Sequence, residues 1–235
     1  MNKTAYITGG SKGIGLGVAK AMLAKGMNVA ITSRNRESLN VAIEVLNKVG
    51  NGEILAIESD VRDYESEKNA IGQVLKKWGT LDVVIANAGV GKFASIEDMS
   101  LEDWNSVIDI NLTGVFHTVK ASIPSMKKSK GYIITIASLA GTNFFKKGSA
   151  YNASKFGLVG FTQAIMMDLR QYGVRVTTIM PGSVATYFNG HVPSDEDSWK
   201  IQPEDIGQMI VDLLKMNPRT LPSKIEIRPS IPPGK

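Results

Sequence analysis

Seven short apolar runs alternate along this 235-residue chain with longer segments of helical period. The runs, rich in β-branched residues, lie at 4–8, 28–33, 54–58, 81–87, 131–137, 175–180 and 224–227. Continuous apolar runs are typical of strands that are buried on both faces of a parallel sheet. The segments between them predict helices at about 14–25, 36–49, 63–78, 100–127, 150–171 and 203–216. The alternation predicts an α/β fold, a doubly wound, seven-stranded parallel sheet with helices on both faces, which is the Rossmann-like architecture.

No linker, repeat or low-complexity stretch divides the sequence, so we expect residues 1–235 to form a single domain. Apolar residues make up 43% of the chain, which is enough to build a core. The one long irregular stretch covers 181–202 and is rich in Gly, Pro, Ser and Asp. Because loops of this length in compact domains are usually lids or binding loops, we expect a short substrate loop at about 182–202.

Composition excludes several functional classes. The chain has no cysteine, which rules out disulfides, thiolate zinc sites and a cysteine nucleophile, and we expect no metal. The net charge of +5 is spread over scattered pairs of basic residues, so nucleic-acid binding is not expected. The first residues lack the pattern of a signal peptide, and no apolar run reaches the roughly 18 residues of a membrane helix. We therefore expect a cytoplasmic protein that binds neither nucleic acid nor a membrane.

The first predicted strand runs into a glycine-rich turn that a predicted helix follows at once. Gly9, Gly13 and Gly15 have the spacing G-x-x-x-G-x-G, with Ser11 and Lys12 between the first two. Such a turn lets backbone approach a pyrophosphate, and the helix N-terminus offers free N–H groups and a partial positive charge. The position predicts a dinucleotide site, although the spacing alone is equally typical of a glycine-rich surface turn.

A tyrosine and a lysine are spaced to share one face of a predicted helix. Tyr151 and Lys155 lie at i and i+4, and a nearby ammonium lowers the pKa of a phenol from its usual value of about 10. Ser138 closes the predicted strand at 131–137, at the sheet edge where α/β folds bind ligands. Asn111 lies inside the predicted helix at 100–127, where asparagine is a mediocre helix former. We expect it to hold a kink or a water, or to be part of a proton path.

These residues resemble the short-chain dehydrogenase/reductase family, and the resemblance covers roughly residues 4–228. Asn111, Ser138, Tyr151 and Lys155 match the family's catalytic tetrad in order and approximate spacing. Residues 87–89 read N-A-G, like the motif that stabilises the sheet and lines the cofactor site, although the preceding position is alanine where the family usually has asparagine. Residues 60–61 read D-V, like the adenine-contacting pair, and 181–186 resemble the P-G-x-x-x-T segment that touches the nicotinamide carboxamide.

The resemblance implies hydride transfer between nicotinamide C4 and a carbonyl carbon. Ser138 would polarise the carbonyl oxygen and Tyr151 would deliver the proton. Lys155 would lower the pKa of the tyrosine and bind the nicotinamide ribose, and Asn111 would anchor a water that connects Lys155 to solvent. The cofactor-binding residues so implied are Gly9, Ser11, Lys12, Gly13, Ile14, Gly15, Ser33, Arg34, Asp60, Val61, Asn87, Ala88, Gly89, Tyr151, Lys155, Pro181, Gly182, Val184 and Thr186.

The end of the second predicted strand indicates which nicotinamide cofactor binds. An NAD site has a carboxylate there for the ribose 2′-hydroxyl, whereas this sequence has Ser33 and Arg34. A guanidinium suits a phosphate, and Lys12 adds a second cation. In the family such a pair accompanies NADP(H), which we therefore expect. Glu37 is close in sequence but is expected to lie past the turn.

Candidate substrate-pocket residues follow the motifs and are mostly apolar or aromatic: Phe93, Leu139, Asn143, Phe144, Phe145, Ser183, Tyr187, Phe188 and Trp199. This lining favours a small apolar carbonyl or alcohol substrate, and we expect NADPH-dependent reduction of an aldehyde or ketone. The predicted helix at 150–171 is apolar on most sides, which is typical of a helix buried on more than one face. We therefore expect a homodimer or homotetramer.

Other functions remain open at this point. A 3-oxoacyl thioester reductase, which takes its substrate from an acyl carrier protein, belongs to the same family and would need a basic surface, to which Lys146 and Lys147 could contribute. A non-catalytic NADP-binding module is disfavoured because the tetrad is complete. A sugar-nucleotide epimerase is disfavoured because it needs a sizeable C-terminal domain, and only about fifty residues follow Gly182.

Overall fold

The predicted strands form one sheet in the computed structural model, which describes residues 2–232. The strand order is β3-β2-β1-β4-β5-β6-β7, and all neighbouring strands are parallel. The strands are β1 (Thr4–Ile7), β2 (Asn28–Ser33), β3 (Ile54–Glu58), β4 (Val83–Ala86), β5 (Tyr132–Ile136), β6 (Arg175–Pro181) and β7 (Lys224–Ile227). The prediction of a doubly wound, seven-stranded Rossmann-like sheet is confirmed.

Helices cover both faces of the sheet. They are α1 (Gly13–Leu23), α2 (Arg36–Leu46), α3 (Tyr64–Trp78), α4 (Leu101–Ile108), α5 (Gly114–Ser129), α6 (Ser149–Leu169) and α7 (Pro203–Lys215). Side-chain caps explain several starts: Asn35 accepts from the Ser38 N–H at 2.8 Å, and Ser100 accepts from the Asp103 N–H at 3.0 Å. Within the described residues, no helix combines the length and the hydropathy needed to cross a bilayer.

Strand β1 shows why the strand sequences are continuously apolar. Ala5 and Ile7 belong to the hydrophobic layer that α1, α2 and α7 complete, whereas Tyr6 belongs to the layer beneath α3, α5 and α6. All three side chains are fully buried. Because successive side chains of a strand point to opposite faces, burial of both faces requires an apolar residue at every position.

The predicted helix at 100–127 is interrupted in the structure. Helix α4 ends at Ile108, a π-helical turn covers Asp109–Thr113, and α5 continues from Gly114 to Ser129. A π turn widens the helix by one residue and is common at functional sites. Asn111 lies in the middle of this turn, so the expectation that it holds a kink agrees with the local geometry.

The position of the cleft follows from the strand order. The chain runs outward from β1 to β2 and β3, then returns to β4 on the other side of β1. The loops that leave the carboxyl ends of β1 and β4 therefore diverge. A crevice at this switch point is where open α/β sheets bind their ligands.

Candidate active site and cofactor cleft

The turn after β1 brings bare backbone to the switch point. Gly9 and Gly13 have φ values of 62° and 54°, in the left-handed region that favours glycine. A Cβ on Gly15 would lie 2.4 Å from the carbonyl oxygen of Gly9, so α1 packs against the turn only because no side chain is there. Lys12, which precedes α1, makes no side-chain cap. The N–H groups at the start of this helix thus stay available to a ligand.

The asparagine after β4 braces the glycine turn. The Asn87 side-chain amide donates to the backbone oxygens of Thr8 and Gly9, at 2.9 and 3.1 Å. The Thr8 hydroxyl in turn accepts from the N–H groups of Asn87 and Ala88, at 3.0 and 3.1 Å. These bonds join the two loops that flank the crevice. Thr8 is a site residue that the motif analysis did not single out, although it precedes the first glycine directly.

A cleft of about 810 Å³ runs along the carboxyl edge of the sheet, from the glycine turn to α6. The predicted cofactor residues that line it are Gly9, Ser11, Lys12, Gly13, Ile14, Ser33, Arg34, Val61, Asn87, Ala88, Gly89, Tyr151, Lys155, Pro181, Gly182, Val184 and Thr186. Two others lie elsewhere: Asp60 lines an adjoining pocket, and Gly15 packs beneath the turn. No group of three or more His, Asp or Glu side chains that could hold a metal ion occurs between residues 2 and 232.

The adjoining pocket, of about 770 Å³, lies at the end of β2 and is rich in cations. Lys12, Arg34 and Arg62 line it, together with the hydroxyl of Ser33. Glu37 lies past the turn, as expected, in the first turn of α2. It nevertheless lines this pocket, so discounting it there was wrong.

One acidic group in this pocket is neutralised within the chain. Asp60 receives hydrogen bonds from the Arg62 guanidinium at 2.6, 3.0 and 3.1 Å. These bonds hold the pKa of the Asp60 carboxyl below its usual range. Neither Lys12 nor Arg34 forms an ion pair with an acidic group of residues 2–232, so both cations are available for an anionic ligand.

The opposite end of the cleft holds the predicted catalytic side chains. Tyr151 and Lys155 face the cleft from the first turns of α6, and Ser138 faces it from the end of β5. The Ser138 hydroxyl accepts from the Ala140 N–H at 3.1 Å, which keeps its own proton free to donate. It also lies close enough to the Tyr151 phenol to lower that group's pKa. The structure thus brings these three residues together at one point of the cleft.

Burial shifts the pKa values of both Tyr151 and Lys155. It raises the pKa of the Tyr151 phenol, and the neighbouring Ser138 offsets only part of that rise. Burial lowers the pKa of Lys155 to about 8. The Lys155 ammonium donates to the Ile136 carbonyl at 2.9 Å and lies 5.7 Å from the centre of the tyrosine ring. The expected lowering of the tyrosine pKa by Lys155 is not met in this geometry, because the ammonium is directed to the backbone of β5.

Asn111 is fully buried and does not line the cleft. Its side-chain oxygen accepts from the Val90 N–H at 2.8 Å, and its amide donates to the Val90 carbonyl at 2.9 Å and to the Ser154 hydroxyl at 3.1 Å. Both ends of the side chain are therefore engaged. Asn111 thus pins the loop after β4 to α6.

The loop after β6 closes one side of the cleft. The Gly182 N–H donates to the Ile227 carbonyl at 2.8 Å, and Val184 pairs with Ile201, so the loop returns to its starting point. Thr186 packs over the glycine turn, where a Cβ on Gly13 would lie 3.3 Å from its methyl group. Further along, the Asp197 carboxylate binds both His191 and Lys200. These contacts give the irregular stretch a defined shape.

Comparison with known proteins gives the family. A family model described as short chain dehydrogenase matches residues 3–197. The chain belongs to the short-chain dehydrogenase family. It is 36% identical over 223 residues to trans-4-hydroxycyclohexanecarboxylate dehydrogenase of Sinomonas cyclohexanicum, covering 90% of this chain and 85% of that protein. It is 32% identical over 230 residues to an uncharacterized oxidoreductase of Staphylococcus aureus strain MW2, covering 97% of each chain.

Solved structures agree with this assignment. An alcohol dehydrogenase from the archaeon Thermococcus sibiricus, complexed with 5-hydroxy-NADP, superposes with a TM-score of 0.93 at 28% identity over the whole of both chains. A variant of actinorhodin polyketide ketoreductase with NADPH superposes with a TM-score of 0.88 at 26% identity, covering 97% of this chain and 96% of that one. The protein is therefore an oxidoreductase of the short-chain dehydrogenase type.

A buried polar network that the sequence motifs of this short-chain dehydrogenase did not indicate lies beneath the part of the cleft that Ser59 lines. The Glu67 carboxylate is fully buried and accepts hydrogen bonds from Tyr6 at 3.0 Å, Ser59 at 2.8 Å and Thr118 at 2.7 Å. Burial raises its pKa. The network joins β1, α3 and α5 to Ser59, which lines the cleft. Only the unusual Tyr6 in an aliphatic strand could have pointed to it.

Proposed function

We propose that this dehydrogenase uses NADPH to reduce a small, uncharged aldehyde or ketone, with oxidation of the alcohol as the reverse reaction. The observation that carries the proposal is the arrangement of the cleft. Its inner end presents the Tyr151 and Ser138 hydroxyls, and its outer end adjoins the pocket that contains Lys12 and Arg34. A ligand that spans this cleft would place a reactive ring at the inner end and an anionic group in the outer pocket.

The residues of the cleft fit a nicotinamide dinucleotide. The glycine turn packs its backbone closely against Ala88 and Thr186 at Gly9 and Gly13, and the uncapped start of α1 suits a pyrophosphate. Thr186 and Gly182 line the inner end, where a carboxamide would be held. When bound, the cofactor supplies or accepts the hydride, and the protein orients it.

The catalytic side chains have complementary roles in the proposal. Ser138 donates its free proton to the substrate oxygen and so holds the carbonyl next to Tyr151. Tyr151 then supplies the proton that the oxygen needs as it becomes a hydroxyl. The high pKa of the buried phenol keeps this proton on the tyrosine at neutral pH, which suits a general acid in the direction of reduction. The Lys155 ammonium, 5.7 Å from the centre of the tyrosine ring, adds positive charge to this end of the cleft.

The choice of NADPH depends on the charge in the outer pocket. Lys12 and Arg34 are free of acidic partners within residues 2–232, whereas Asp60 is neutralised by Arg62. The Glu37 carboxylate would repel a phosphate there. The net charge of the pocket is nevertheless +1, because it contains three cations, Lys12, Arg34 and Arg62, and two anions, Glu37 and Asp60. A 2′-phosphate would accept charge-assisted hydrogen bonds from Lys12 and Arg34, whereas a neutral ribose hydroxyl would not. Three structural relatives bind NADP, NADPH or 5-hydroxy-NADP, which supports this choice.

The test is an NADPH-oxidation screen against aldehydes, ketones, diketones and a 3-oxoacyl thioester, with NADH in parallel. We expect turnover with uncharged carbonyl compounds and a higher kcat/KM with NADPH than with NADH. Turnover of the thioester far above all other substrates would replace the proposed substrate class. Absence of turnover with every carbonyl compound would overturn the proposal.

One observation favours the thioester alternative. Lys146 and Lys147 are exposed, follow the loop after β5, and have no acidic partner in the described part of the chain. An acidic carrier protein would meet a basic surface there. The two lysines form only a small basic patch, so we rank reduction of free carbonyl compounds first.

A further inference from the structure

Four aromatic rings from four different segments meet beside the reactive phenol. Phe93 follows β4, Phe145 follows β5, Tyr151 lies on α6 and Phe188 lies in the loop after β6. The centre of the Phe93 ring is 5.6 Å from that of Phe145, 5.5 Å from Tyr151 and 6.3 Å from Phe188. The Tyr151 and Phe188 rings are 5.5 Å apart. We call these four residues the aromatic cluster; its rings meet at the angles and distances at which aromatic pairs attract.

Of the three phenylalanines, Phe188 is the one that lines the cleft. Phe93 contacts the Phe188 ring and Phe145 contacts the Phe93 ring, but neither lines the cleft. Phe188 begins a short 3₁₀ turn, and its N–H reaches the Thr186 hydroxyl at 3.4 Å. The ring is thus carried by the same segment that packs over the glycine turn.

The absence of a side chain at Gly91 leaves the space that the Phe188 ring occupies. A Cβ built on Gly91 would lie 2.5 Å from two atoms of the Phe188 ring and 3.1 Å from the ring of Phe93. Any side chain at position 91 would push Phe188 away from its place. The backbone of Gly91 does not have a positive φ, so the reason for glycine here is space and not backbone conformation.

The aromatic cluster contains no charged side chain. Lys92, which precedes Phe93, pairs with Asp103 at 3.2 Å, and the Lys155 ammonium, 5.7 Å from the centre of the Tyr151 ring, donates to the Ile136 carbonyl. The ring faces and edges beside Tyr151 therefore form an apolar surface next to the hydroxyl groups that would bind the carbonyl oxygen. A compact apolar ring attached to a carbonyl matches these surfaces better than a flexible chain, which loses more rotational freedom on binding.

We infer that Phe188, seated on Gly91 and supported by Phe93, is a specificity-determining residue that selects cyclic carbonyl substrates over open-chain ones. This inference rests on the proposed function. The ring of Phe188 forms the cleft wall next to the Tyr151 phenol. A substrate ring packs against it while its carbonyl oxygen meets Ser138 and Tyr151.

The test compares two seven-carbon aldehydes, cyclohexanecarbaldehyde and heptanal, with NADPH. The measured quantity is the ratio of their kcat/KM values, which removes effects that a variant has on both substrates. Phe188→Leu keeps an apolar side chain but removes the ring, and we expect the ratio to fall roughly 3- to 10-fold, mainly through a higher KM for the cyclic aldehyde. Gly91→Ala should lower the ratio in the same direction by displacing the ring.

Phe144→Leu is the matched control. The sequence placed Phe144 among the candidate pocket residues, but it does not line the cleft, is 88% exposed and makes no ring contact within the described chain. We expect its ratio to equal that of the wild type. If the wild type reduces both aldehydes but Phe188→Leu leaves the ratio unchanged, the assignment of Phe188 fails and the proposed function stands. If the wild type reduces neither aldehyde nor any other carbonyl compound, both fail.

Discussion

At the scale of single residues, Tyr151 carries the proposed chemistry. Its phenol is buried beside Ser138, and burial raises its pKa and so keeps it protonated. A proton donor with a high pKa depends on its geometry, because it must be held against the atom that it protonates. The contacts of Tyr151 with Phe93 and Phe188 supply this restraint.

Tyr151→Phe should lower kcat by about 10²–10⁴-fold, because it removes the proton donor and leaves the ring packing in place. NADPH affinity, measured by fluorescence titration, should change little, since the phenol contributes only one of many cofactor contacts. Tyr172→Phe is the matched control: Tyr172 is exposed, and its ring contacts Lys127 away from the cleft. A Tyr151→Phe variant that retained most of its kcat would contradict the role given to this residue.

Arg34 is the residue on which the proposed choice of NADPH depends. Charge-assisted hydrogen bonds to a phosphate contribute about 1.5–3 kcal/mol, which is roughly 10- to 150-fold in affinity. Arg34→Ala should lower kcat/KM for NADPH by about that factor and barely change kcat/KM for NADH. Ser33→Asp should shift the preference further toward NADH.

Arg36→Ala controls for the loss of a nearby positive charge, because Arg36 pairs with Glu58 at 3.5 Å instead of lining the pocket. It should leave the NADPH to NADH ratio almost unchanged. If Arg34→Ala lowered kcat/KM equally for NADPH and NADH, this residue would not bind the 2′-phosphate.

At the scale of structural elements, α6 holds a buried ammonium at some cost in stability. Lys155 has a pKa of about 8 in the folded chain against 10.5 as its ordinary value. The unfolded chain therefore binds this proton more tightly, and the stability linked to Lys155 is present above pH 10.5 and lost as the pH falls through about 8. Between these values the free energy of unfolding should rise with pH.

Urea unfolding of the cofactor-free wild type and of Lys155→Met checks this dependence. Between about pH 8 and pH 9.5 the wild type should gain up to about 2 kcal/mol relative to the variant, since one pKa unit corresponds to about 1.36 kcal/mol. The difference between the two proteins isolates Lys155 from the other lysines. Parallel curves for wild type and variant would mean that the ammonium is not destabilised by burial.

The π turn between α4 and α5 shows how an element is shaped by its surroundings. Sequence periodicity predicted one helix from 100 to 127, because the apolar positions continue through it. Asn111 interrupts it by binding both the N–H and the carbonyl of Val90. These bonds link residues 21 positions apart in the chain, so local propensity could not have revealed them.

At the scale of the whole molecule, the outer faces of α5 and α6 leave apolar rings exposed. Phe116 on α5 and Phe156 on α6 are each 44% exposed, and Met167 is 51% exposed. Phe156 and Met167 are eleven residues apart, about three helical turns, and so lie on the same side of α6. Exposed apolar patches of this kind are typical of protein–protein contacts.

We propose that these faces pair two copies of the chain. Light scattering at micromolar concentration should give a mass of two or four times 25.4 kDa. Phe156→Glu should lower that mass, because pairing would bury its charge, whereas Phe144→Glu, with an exposed ring outside these helices, should not. A wild-type mass near 25.4 kDa would contradict the proposed assembly.

The sequence by itself determined the sheet, the order of the helices and the residues at the carboxyl edge. Each of these depends on local patterns: β-branched runs, helical periods, and glycines or polar residues where strands end. The bounds of β2, β3 and β7 agree with the prediction because polar or turn residues flank those strands. The motif residues Gly9, Ser138, Tyr151 and Lys155 line the cleft because the ends of parallel strands meet there.

Only the tertiary structure decided how the side chains are used. It brought Glu37 into the cation pocket, directed Lys155 to the Ile136 carbonyl, and engaged the whole Asn111 side chain with protein groups. It also seated Phe188 on Gly91, almost a hundred positions earlier in the chain. Hydrogen bonds and ring contacts of this kind join segments that are distant in sequence, and their geometry is set by the packing of the helices and loops around the sheet, which no local pattern contains.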